Sequence, residues 1–262
     1  MSALGKYAQT AKRAAFSYVA EGPLFVFYFL LRFLRVALLL AVWRAIFAGR
    51  SSAEGISLPT MLTYVLIAEV FADQFLVETT IVNTMWEGTI VTRLLQPLPV
   101  EGIFTAEMIG QWSIGLTLVS LPLVLLAPLW GVNPLPTSLA AGCCFLISLL
   151  LAITLGVAVD FLFGALTIAL NINVWILDRF RSAVGALLSG AFLPLALMPW
   201  GLGKLVAWLP FASMASAPLQ IYTGQGNALQ LLALQALWCV LLWPVARGAW
   251  RANREKLMSF GG

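Results

Sequence analysis

The sequence predicts an all-α integral membrane protein with six transmembrane helices, and three observations lead to this class. Of the 262 residues, 61% are hydrophobic and only 10% are charged. Soluble domains are typically about 45–50% apolar and about 25% charged. Several apolar runs reach about 20 residues, the length that crosses a bilayer as a helix. The alternating short segments of a membrane β-barrel are missing from the sequence.

The first element is an amphipathic helix within residues 1–22. Over 2–20, Tyr7 belongs to an apolar face, while Lys6 and Arg13 lie on the opposite face. A helix of this kind lies in the membrane interface, with its basic residues toward the lipid headgroups. We therefore expect an interfacial helix before the first span.

Six apolar spans follow in a single transmembrane domain that covers residues 1–262. They are predicted at 23–48, 58–82, 101–128, 138–160, 178–199 and 227–248. An even number of spans puts both termini on the same side of the membrane. Cytoplasmic segments carry an excess of Lys and Arg, and a cytoplasmic N-terminus satisfies that bias. The inner segments then hold Lys6, Lys12, Arg13, Arg93, Arg179, Arg181, Arg247, Arg251, Arg254 and Lys256, and the outer ones only Arg44, Arg50 and Lys204.

Two stretches depart from a plain six-helix pattern. Residues 161–177 stay apolar beyond span four, so that helix either continues past the membrane or breaks near Gly164. Residues 200–224 are apolar but are interrupted by glycines and by Pro210 and Pro218. We expect 200–224 to form an external, re-entrant helical pair, because irregular backbone at membrane depth must be packed against protein.

The polar segment Met85–Pro99 lies between spans two and three and has a helical pattern of its own. Trp86, Ile90 and Leu94 share one side of the predicted helix. Pro97 and Pro99 are expected to end it, since proline lacks an amide hydrogen. Such a helix is either a passive elbow or a docking surface for another protein. Amphipathicity alone favours the elbow, because most interfacial helices are anchors.

Four charges are predicted to lie inside the membrane. Arg32 and Arg35 belong to span one, and Glu69 and Asp73 to span two. At 1.5 Å per residue, Arg35 and Glu69 both lie about 17–18 Å into their spans, so they meet near the midplane. Buried charges are costly unless paired. The four residues therefore predict two ion pairs, which either line a polar path or, as we prefer, form a fixed bridge.

Motifs of known enzyme and metal chemistry are missing from the sequence. There is no histidine and no GxxxxGK[ST] phosphate loop, so this chain alone cannot hydrolyse a nucleotide. Cys143, Cys144 and Cys239 lie in apolar runs without CxxC spacing. Glu69 and Asp73 are the only carboxylates that are spaced as an acid–base pair. We therefore predict no catalytic residue, no metal site and no cofactor on this chain, and no nucleic-acid partner.

Four stretches resemble the ABC-2 type permease family in the same order. They are Leu187–Gly224 (LLSGAFLPLALMPWGLGKLVAWLPFASMASAPLQIYTG), Leu39–Phe47 (LLAVWRAIF), Gly88–Pro97 (GTIVTRLLQP) and Arg251–Gly262 (RANREKLMSFGG). The first is similar to the family's span-five signature and external helix, and the third to its cytoplasmic segment. Together these stretches are distributed along most of the chain, from residue 39 to residue 262.

The resemblance implies the transmembrane subunit of an ATP-driven exporter in the bacterial cytoplasmic membrane. Two such subunits, identical or related, would work with two cytoplasmic ATPases that bind ATP and Mg²⁺. The translocation path would lie between the two copies, lined by spans two and five. The substrate would be hydrophobic or amphipathic, such as a lipid, a glycan carrier or a drug.

The resemblance also implies that the 85–99 segment is a coupling helix that docks on the ATPase. Arg93 and Gln96 would then project to the ATPase, while Trp86, Ile90 and Leu94 anchor the helix to its own subunit. We also expect a close approach of the partner at Gly88. The residues implied in coupling are Trp86, Glu87, Gly88, Thr89, Thr92, Arg93 and Gln96.

A second reading does not involve an ATPase. The chain would be a stand-alone secondary transporter or channel that uses Arg32, Arg35, Glu69 and Asp73 as its polar path. The two readings differ in one observable property, since only the first requires a copurifying ATPase.

Overall fold

The computed structural model describes residues 3–20, 24–50, 52–96 and 98–260. The predicted helix stop at Pro97, the last two residues of the C-terminal tail, and residues 1, 2 and 21–23 of the N-terminal prediction lie outside these ranges. The helices are α1 (Ala3–Ala20), α2 (Leu24–Ile46), α3 (Leu58–Val70), α4 (Ala72–Phe75), α5 (Ile81–Trp86), α6 (Ile90–Leu94), α7 (Val100–Gly115), α8 (Leu121–Leu126), α9 (Leu139–Leu170), α10 (Val174–Leu188), α11 (Leu202–Val206), α12 (Pro210–Thr223) and α13 (Ala228–Phe260). A small antiparallel hairpin of β1 (Ser52–Ala53) and β2 (Ile56–Ser57) joins α2 to α3.

Among the described residues, four helical stretches are long and apolar enough to cross a membrane. They are Val26–Ile46, Val100–Trp130, Leu139–Leu170 and Ala228–Asn253. The second continues from α7 to α8 through a π-helical turn (Leu116–Ser120) and ends in a 3₁₀ turn (Ala127–Trp130). These stretches correspond to predicted spans one, three, four and six. Span four is longer than predicted, because α9 passes Gly164 without a break and ends at Asn171, where φ is 53°.

The second predicted span, 58–82, is not one continuous helix. α3 ends at Val70, α4 adds one turn, and residues 76–80 have no helical structure. Side chains from distant helices bind the backbone groups that the break leaves without helical partners. Ser120 Oγ donates to the Val70 carbonyl oxygen over 2.7 Å, and Arg181 Nη1 donates to the Val77 carbonyl oxygen over 2.8 Å. The prediction of an uninterrupted span was wrong because hydrophobic periodicity contains no information about side chains, distant in the sequence, that hydrogen-bond the backbone in place of a helical partner.

The fifth predicted span, 178–199, is also shorter and displaced. α10 begins earlier and ends at Leu188, and the chain then turns at Gly190, where φ is 78°. Two 3₁₀ turns (Leu195–Leu197 and Pro199–Gly201) lead into α11 and α12. The helical pair predicted over 200–224 is present as α11 and α12. Pro210 lies at the start of α12, where its missing amide hydrogen leaves no bond unmade.

The contacts between long helices show their relative directions. Ser148 of α9 hydrogen-bonds Gln235 of α13 over 2.8 Å, and Phe161 makes an edge-to-face contact with Trp250 further along both helices. α9 and α13 therefore run parallel to each other. The segment α10–α12, which joins the end of α9 to the start of α13, therefore leads back along the length of α9.

The core lies mainly between α9 and the elements around it. At two glycines of α9, Gly156 and Gly164, close neighbours belong to the non-helical part of span two and to α5. A Cβ atom at Gly164 would lie only 2.9 Å from Ile81 Cδ1. Small residues here let the broken span approach the α9 backbone, and this packing buries Val77 and Ile81.

The N-terminal helix α1 packs along α7. A Cβ atom at Gly110 of α7 would overlap the carbonyl group of Ala11. The packed face of α1 includes Tyr7 of the predicted apolar face, which lies against Gly102 of α7, and also Ala14, which is buried. The two basic residues predicted on the opposite face differ in exposure, since Arg13 is exposed and Lys6 is partly buried.

Candidate functional site

The four intramembrane charges form two ion pairs between α2 and the broken span two. Arg35 Nη2 lies 3.0 Å from Glu69 Oε1. Arg32 donates to both carboxylate oxygens of Asp73, over 2.9 and 3.3 Å. Bidentate contact between guanidinium and carboxylate is a strong and geometrically specific interaction. The structure thus brings these residues together in two pairs, 35 with 69 and 32 with 73.

The two pairs are exposed in opposite ways. Arg35 is 61% exposed while its partner Glu69 is only 8% exposed. Arg32 is 18% exposed while its partner Asp73 is 51% exposed. Each pair therefore has one buried member and one open member, and the two open members have opposite charges.

Both pairs line one groove of about 590 Å³. This groove, called the charged groove below, lies between α2, α3, α4, α7 and the end of α10. Its charged residues are Arg32, Arg35, Glu69, Asp73 and Glu78. Apolar and aromatic side chains, among them Tyr28 and Phe192, complete its walls. The combination of few charges with apolar walls is typical of a binding site for an amphipathic molecule.

One oxygen in the charged groove is buried without a partner. Glu69 Oε1 bonds Arg35, but no hydrogen-bond partner of Glu69 Oε2 lies among the described residues. A buried, unpaired carboxylate oxygen is costly in free energy. The arrangement therefore retains unused hydrogen-bonding capacity at the bottom of the groove.

Beside the groove, Arg181 forms the centre of a buried cluster that the sequence analysis did not identify. Its side chain is 2% exposed, and its Nη2 lies 3.0 Å from Asp178 and 3.4 Å from Asp160. The open carboxylate of Glu78 lies 3.6 Å from the same nitrogen. This group, with Thr79, is called the Arg181 cluster below. It joins α9 and α10 to the non-helical residues of span two.

In the sequence, Asp160 and Glu78 fall near the cytoplasmic ends of predicted spans four and two, a position that favours the interpretation of each as a solvated helix end rather than a ligand. That interpretation was wrong for Asp160, which is 2% exposed. Its Oδ2 accepts hydrogen bonds from the Thr79 backbone amide over 3.1 Å and from Thr79 Oγ1 over 2.5 Å. An acidic residue at the end of an apolar run was a sequence signal for a buried carboxylate. The sequence did not identify its cationic partner, because Arg181 was counted only as a cytoplasmic charge.

The 85–99 segment is not the single helix that was predicted. Two short helices, α5 and α6, are joined by a turn in which Gly88 has φ of 69°. Space around Gly88 is open, since no described atom would lie within 4 Å of a Cβ there. Within this subunit no described residue packs against Gly88, and the close approach of a partner there stays a prediction. Glycine is instead suited to the left-handed backbone conformation of the turn.

Two residues of the 85–99 segment have different surroundings from those predicted. Trp86 was predicted to anchor the helix, but it is 60% exposed and makes an edge contact with Trp175 at the start of α10. Arg93 was predicted to project outward, but its Nη1 lies 2.6 Å from Glu107 Oε1 of α7. Glu107 also accepts a hydrogen bond from Thr80 over 2.9 Å. Arg93 therefore connects α6 to its own subunit.

The remaining predicted coupling residues form an open surface. Ile90 is buried and anchors α6, as its position in the pattern predicted. The exposed residues of this surface are Trp86, Glu87, Gly88, Thr89, Thr92 and Gln96. Behind them, a pocket of about 370 Å³ separates the segment from the turn between α9 and α10.

The described residues include no group of three or more His, Cys, Asp or Glu side chains arranged to hold a metal ion. The chemistry that the site offers is ionic and hydrogen-bonding contact with a ligand. A family model described as "ABC-2 family transporter protein" matches residues 33–261, which include every site residue named above except Tyr28 and Arg32. No curated protein and no solved structure gives a significant match.

Proposed function

The chain belongs to the ABC-2 transporter family, and on that premise we propose that it is the permease subunit of an exporter driven by separate ATPase subunits. Two permeases, identical or related, would form the membrane part in the bacterial cytoplasmic membrane, surrounded by lipid. Its substrate would be hydrophobic or amphipathic, such as a lipid, a glycan carrier or a drug. The family match over nearly the whole chain is the observation that carries this proposal.

Six crossings, with both termini in the cytoplasm, fit the directions of the helices. α9 and α13 are parallel, so α10–α12 supplies a crossing between them. α2 and the α7–α8 stretch are also parallel, because two contacts between them follow the same order along both. Arg32 of α2 pairs with Asp73, which lies near Gly115 of α7. Further along, Arg44 bonds the Trp130 carbonyl oxygen. The chain between α2 and α7 therefore supplies another crossing, through α3–α5. Two of the six crossings would be made of short helices rather than of one long helix.

The 85–99 segment is the proposed contact with the ATPase. Its support is the open surface of Glu87, Thr89, Thr92 and Gln96 around the Gly88 turn. The ion pair between Arg93 and Glu107 attaches that surface to α7, so a displacement of the segment would be passed to the membrane helices. Closure of the ATPases would then move the subunit as a largely rigid body between inward-facing and outward-facing states.

The translocation path would run along the charged groove, between two copies of the chain. Support comes from its walls, which include both broken crossings: α3–α4 and the end of α10. Irregular backbone at membrane depth is tolerated where it faces a cavity or is buried in protein. The breaks in these two crossings coincide with the groove, as expected for a substrate path.

Copurification tests the proposal directly. A tagged permease, extracted in mild detergent from its own cells, should bring down an ATPase subunit in a ratio of one ATPase to one permease. ATP hydrolysis should appear in the reconstituted complex and should depend on both subunits. A permease that is isolated alone and transports without ATP would refute the proposal.

The charged groove is also the observation that favours the second reading, a secondary transporter or channel. Ion pairs near the midplane are common in such pathways. Reconstituted vesicles separate the two readings, because transport through the permease alone would follow an ion gradient and would not change on addition of ATP. Transport that requires the ATPase and ATP would exclude the second reading.

A further inference from the structure

We propose that the charged groove binds a zwitterionic headgroup, with its anionic group against Arg35 and its cationic group against Asp73. This inference names the substrate class for the path described above, and so it rests on the proposed function. It goes further in specifying the charge of the ligand and the residue that meets each part of it.

The exposed fractions of the four charged side chains show which charges a ligand in the groove can reach. A ligand in the groove can reach Arg35, which is 61% exposed, and Asp73, which is 51% exposed. It reaches their partners Glu69 and Arg32 far less, because these are 8% and 18% exposed. The accessible charges are therefore one guanidinium and one carboxylate, rather than two of the same sign.

The buried partners hold the open charges in place. Glu69 bonds the guanidinium of Arg35 through one oxygen only, so the rest of that guanidinium is available to a ligand. Arg32 binds both oxygens of Asp73, whose remaining acceptor sites face the groove. Arg32 and Arg35 are about one helical turn apart, and so the two open charges lie on neighbouring turns. That spacing suits a single headgroup with two opposite charges.

Charge matching excludes the simpler ligands. A purely anionic headgroup would be attracted by Arg35 but would be repelled by Asp73 and by the half-exposed carboxylate of Glu78. A purely cationic headgroup would leave Arg35 without an added partner and would be repelled by it. Because unpaired charges are expensive in a low-dielectric site, such mismatches discriminate strongly between ligands.

The apolar walls account for the rest of the ligand. Tyr28 and Leu31 line the same groove, and both are exposed large side chains of α2. α2 continues this exposed apolar surface on both sides of the charges, through Phe27 and Leu38. Hydrocarbon tails can therefore leave the groove along α2 while the headgroup remains between Arg35 and Asp73.

Binding of three lipids with identical dioleoyl tails tests the inference. The purified permease in detergent is titrated with phosphatidylethanolamine (zwitterionic), phosphatidylglycerol (anionic) and a trimethylammonium-propane lipid (cationic), and bound lipid is counted by native mass spectrometry. The zwitterionic lipid should bind about tenfold more tightly than either of the others, as expected for one added charge contact. Equal binding of all three lipids would overturn the proposal.

Variants assign the two contacts separately. Asp73→Asn should weaken phosphatidylethanolamine about tenfold and should not weaken phosphatidylglycerol. The double variant Arg35→Gln with Glu69→Gln, which leaves no buried carboxylate unpaired, should weaken both of these lipids but not the cationic one. If the double variant does not fold, Asp73→Asn alone decides. An Asp73→Asn protein that keeps the wild-type order and spacing of affinities would contradict the assignment.

The matched control is Glu54→Gln, which also converts an exposed carboxylate to an amide, at a residue of the β1–β2 turn that does not line the charged groove. It should bind all three lipids as the wild type does. No ATPase is present in this assay, so a negative result would leave the permease assignment intact. Conversely, failure to find an ATPase partner would not change the lipid preference.

Discussion

Arg181 donates a hydrogen bond to the carbonyl oxygen of Val77 over 2.8 Å, and this bond joins α10 to the non-helical part of span two. The same guanidinium contacts the buried carboxylate of Asp160 on α9 at 3.4 Å. A single side chain therefore connects α9, α10 and the non-helical part of span two, and the last two of these border the charged groove. Since α5 follows the non-helical residues directly, this connection also lies between the groove and the 85–99 segment.

Replacement of Arg181 by alanine should lower stability strongly. Asp160 would lose its cationic partner while 2% exposed, and the Val77 carbonyl oxygen would lose its donor. Breaking a buried ion pair from one side costs about 3–5 kcal/mol. The measurement is the thermal unfolding midpoint of the purified protein. Arg179→Ala, two residues away at an exposed position, is the matched control and should leave the midpoint nearly unchanged.

Removal of one member of the Arg35–Glu69 pair should also destabilise the protein, by about 3 kcal/mol. In Arg35→Ala, the buried carboxylate of Glu69 loses the partner at 3.0 Å. Arg35→Leu together with Glu69→Leu should recover much of that loss, because two apolar residues leave no charge unpaired. If the double variant is stable but does not transport, the pair serves the substrate path. If it transports normally, the pair is only a structural bridge.

Gly88→Val should impair coupling without unfolding the subunit. Gly88 has φ of 69°, which a β-branched residue adopts at a cost of about 1–2 kcal/mol. The turn between α5 and α6 would rearrange and change the surface offered to the ATPase. ATP hydrolysis by the complex and transport should decrease together, by at least about tenfold on the coupling proposal.

Gly131→Val is the control for that change. Gly131 has φ of 64°, and like Gly88 it has no described atom within 4 Å of a Cβ position. The strain is therefore similar, but Gly131 follows the α7–α8 stretch at the end opposite the 85–99 segment. Coupled hydrolysis should be near normal in Gly131→Val. Equal activity in the two variants would show that the 85–99 segment is only an elbow.

Gly110→Ala should detach α1 from α7. The added methyl group would overlap the Ala11 carbonyl group, which is backbone and cannot rotate away. Limited trypsin digestion should then cleave more rapidly after Lys12 and Arg13, two exposed residues of α1. Gly248→Ala, in α13, meets no atom within 4 Å and should digest as the wild type does. An unchanged digestion rate in Gly110→Ala would contradict the close packing of α1.

Cysteine labelling tests the orientation. After replacement of Cys143, Cys144 and Cys239, single cysteines are placed at Ser52, Gln225 and Thr92, all of which are exposed. An impermeant thiol reagent added outside the cell should label positions 52 and 225 but not position 92. Outside labelling at Thr92 would reverse the orientation and would remove the segment from any contact with a cytoplasmic ATPase.

The amino-acid sequence by itself determined the membrane class and the two pairs of charges that meet. Hydropathy is a local property, so apolar runs identify the long helices without knowledge of their neighbours. The pairing of Arg35 with Glu69 and of Arg32 with Asp73 follows from depth alone. In an antiparallel pair of helices with a fixed rise per residue, position along the chain determines which residues lie opposite each other.

Only the tertiary structure decided where the helices of the second and fifth predicted spans break. The broken backbone near Val77 is stable because Arg181 and Asp160, from distant parts of the chain, bind its free groups. Hydrophobic periodicity within a short stretch of sequence gives no information about partners from distant parts of the chain. The same limit explains Arg93, whose position on a predicted polar face gave no indication of Glu107 on α7. Side-chain partners distant in the chain determined the breaks, the buried cluster and the exposure of each charge.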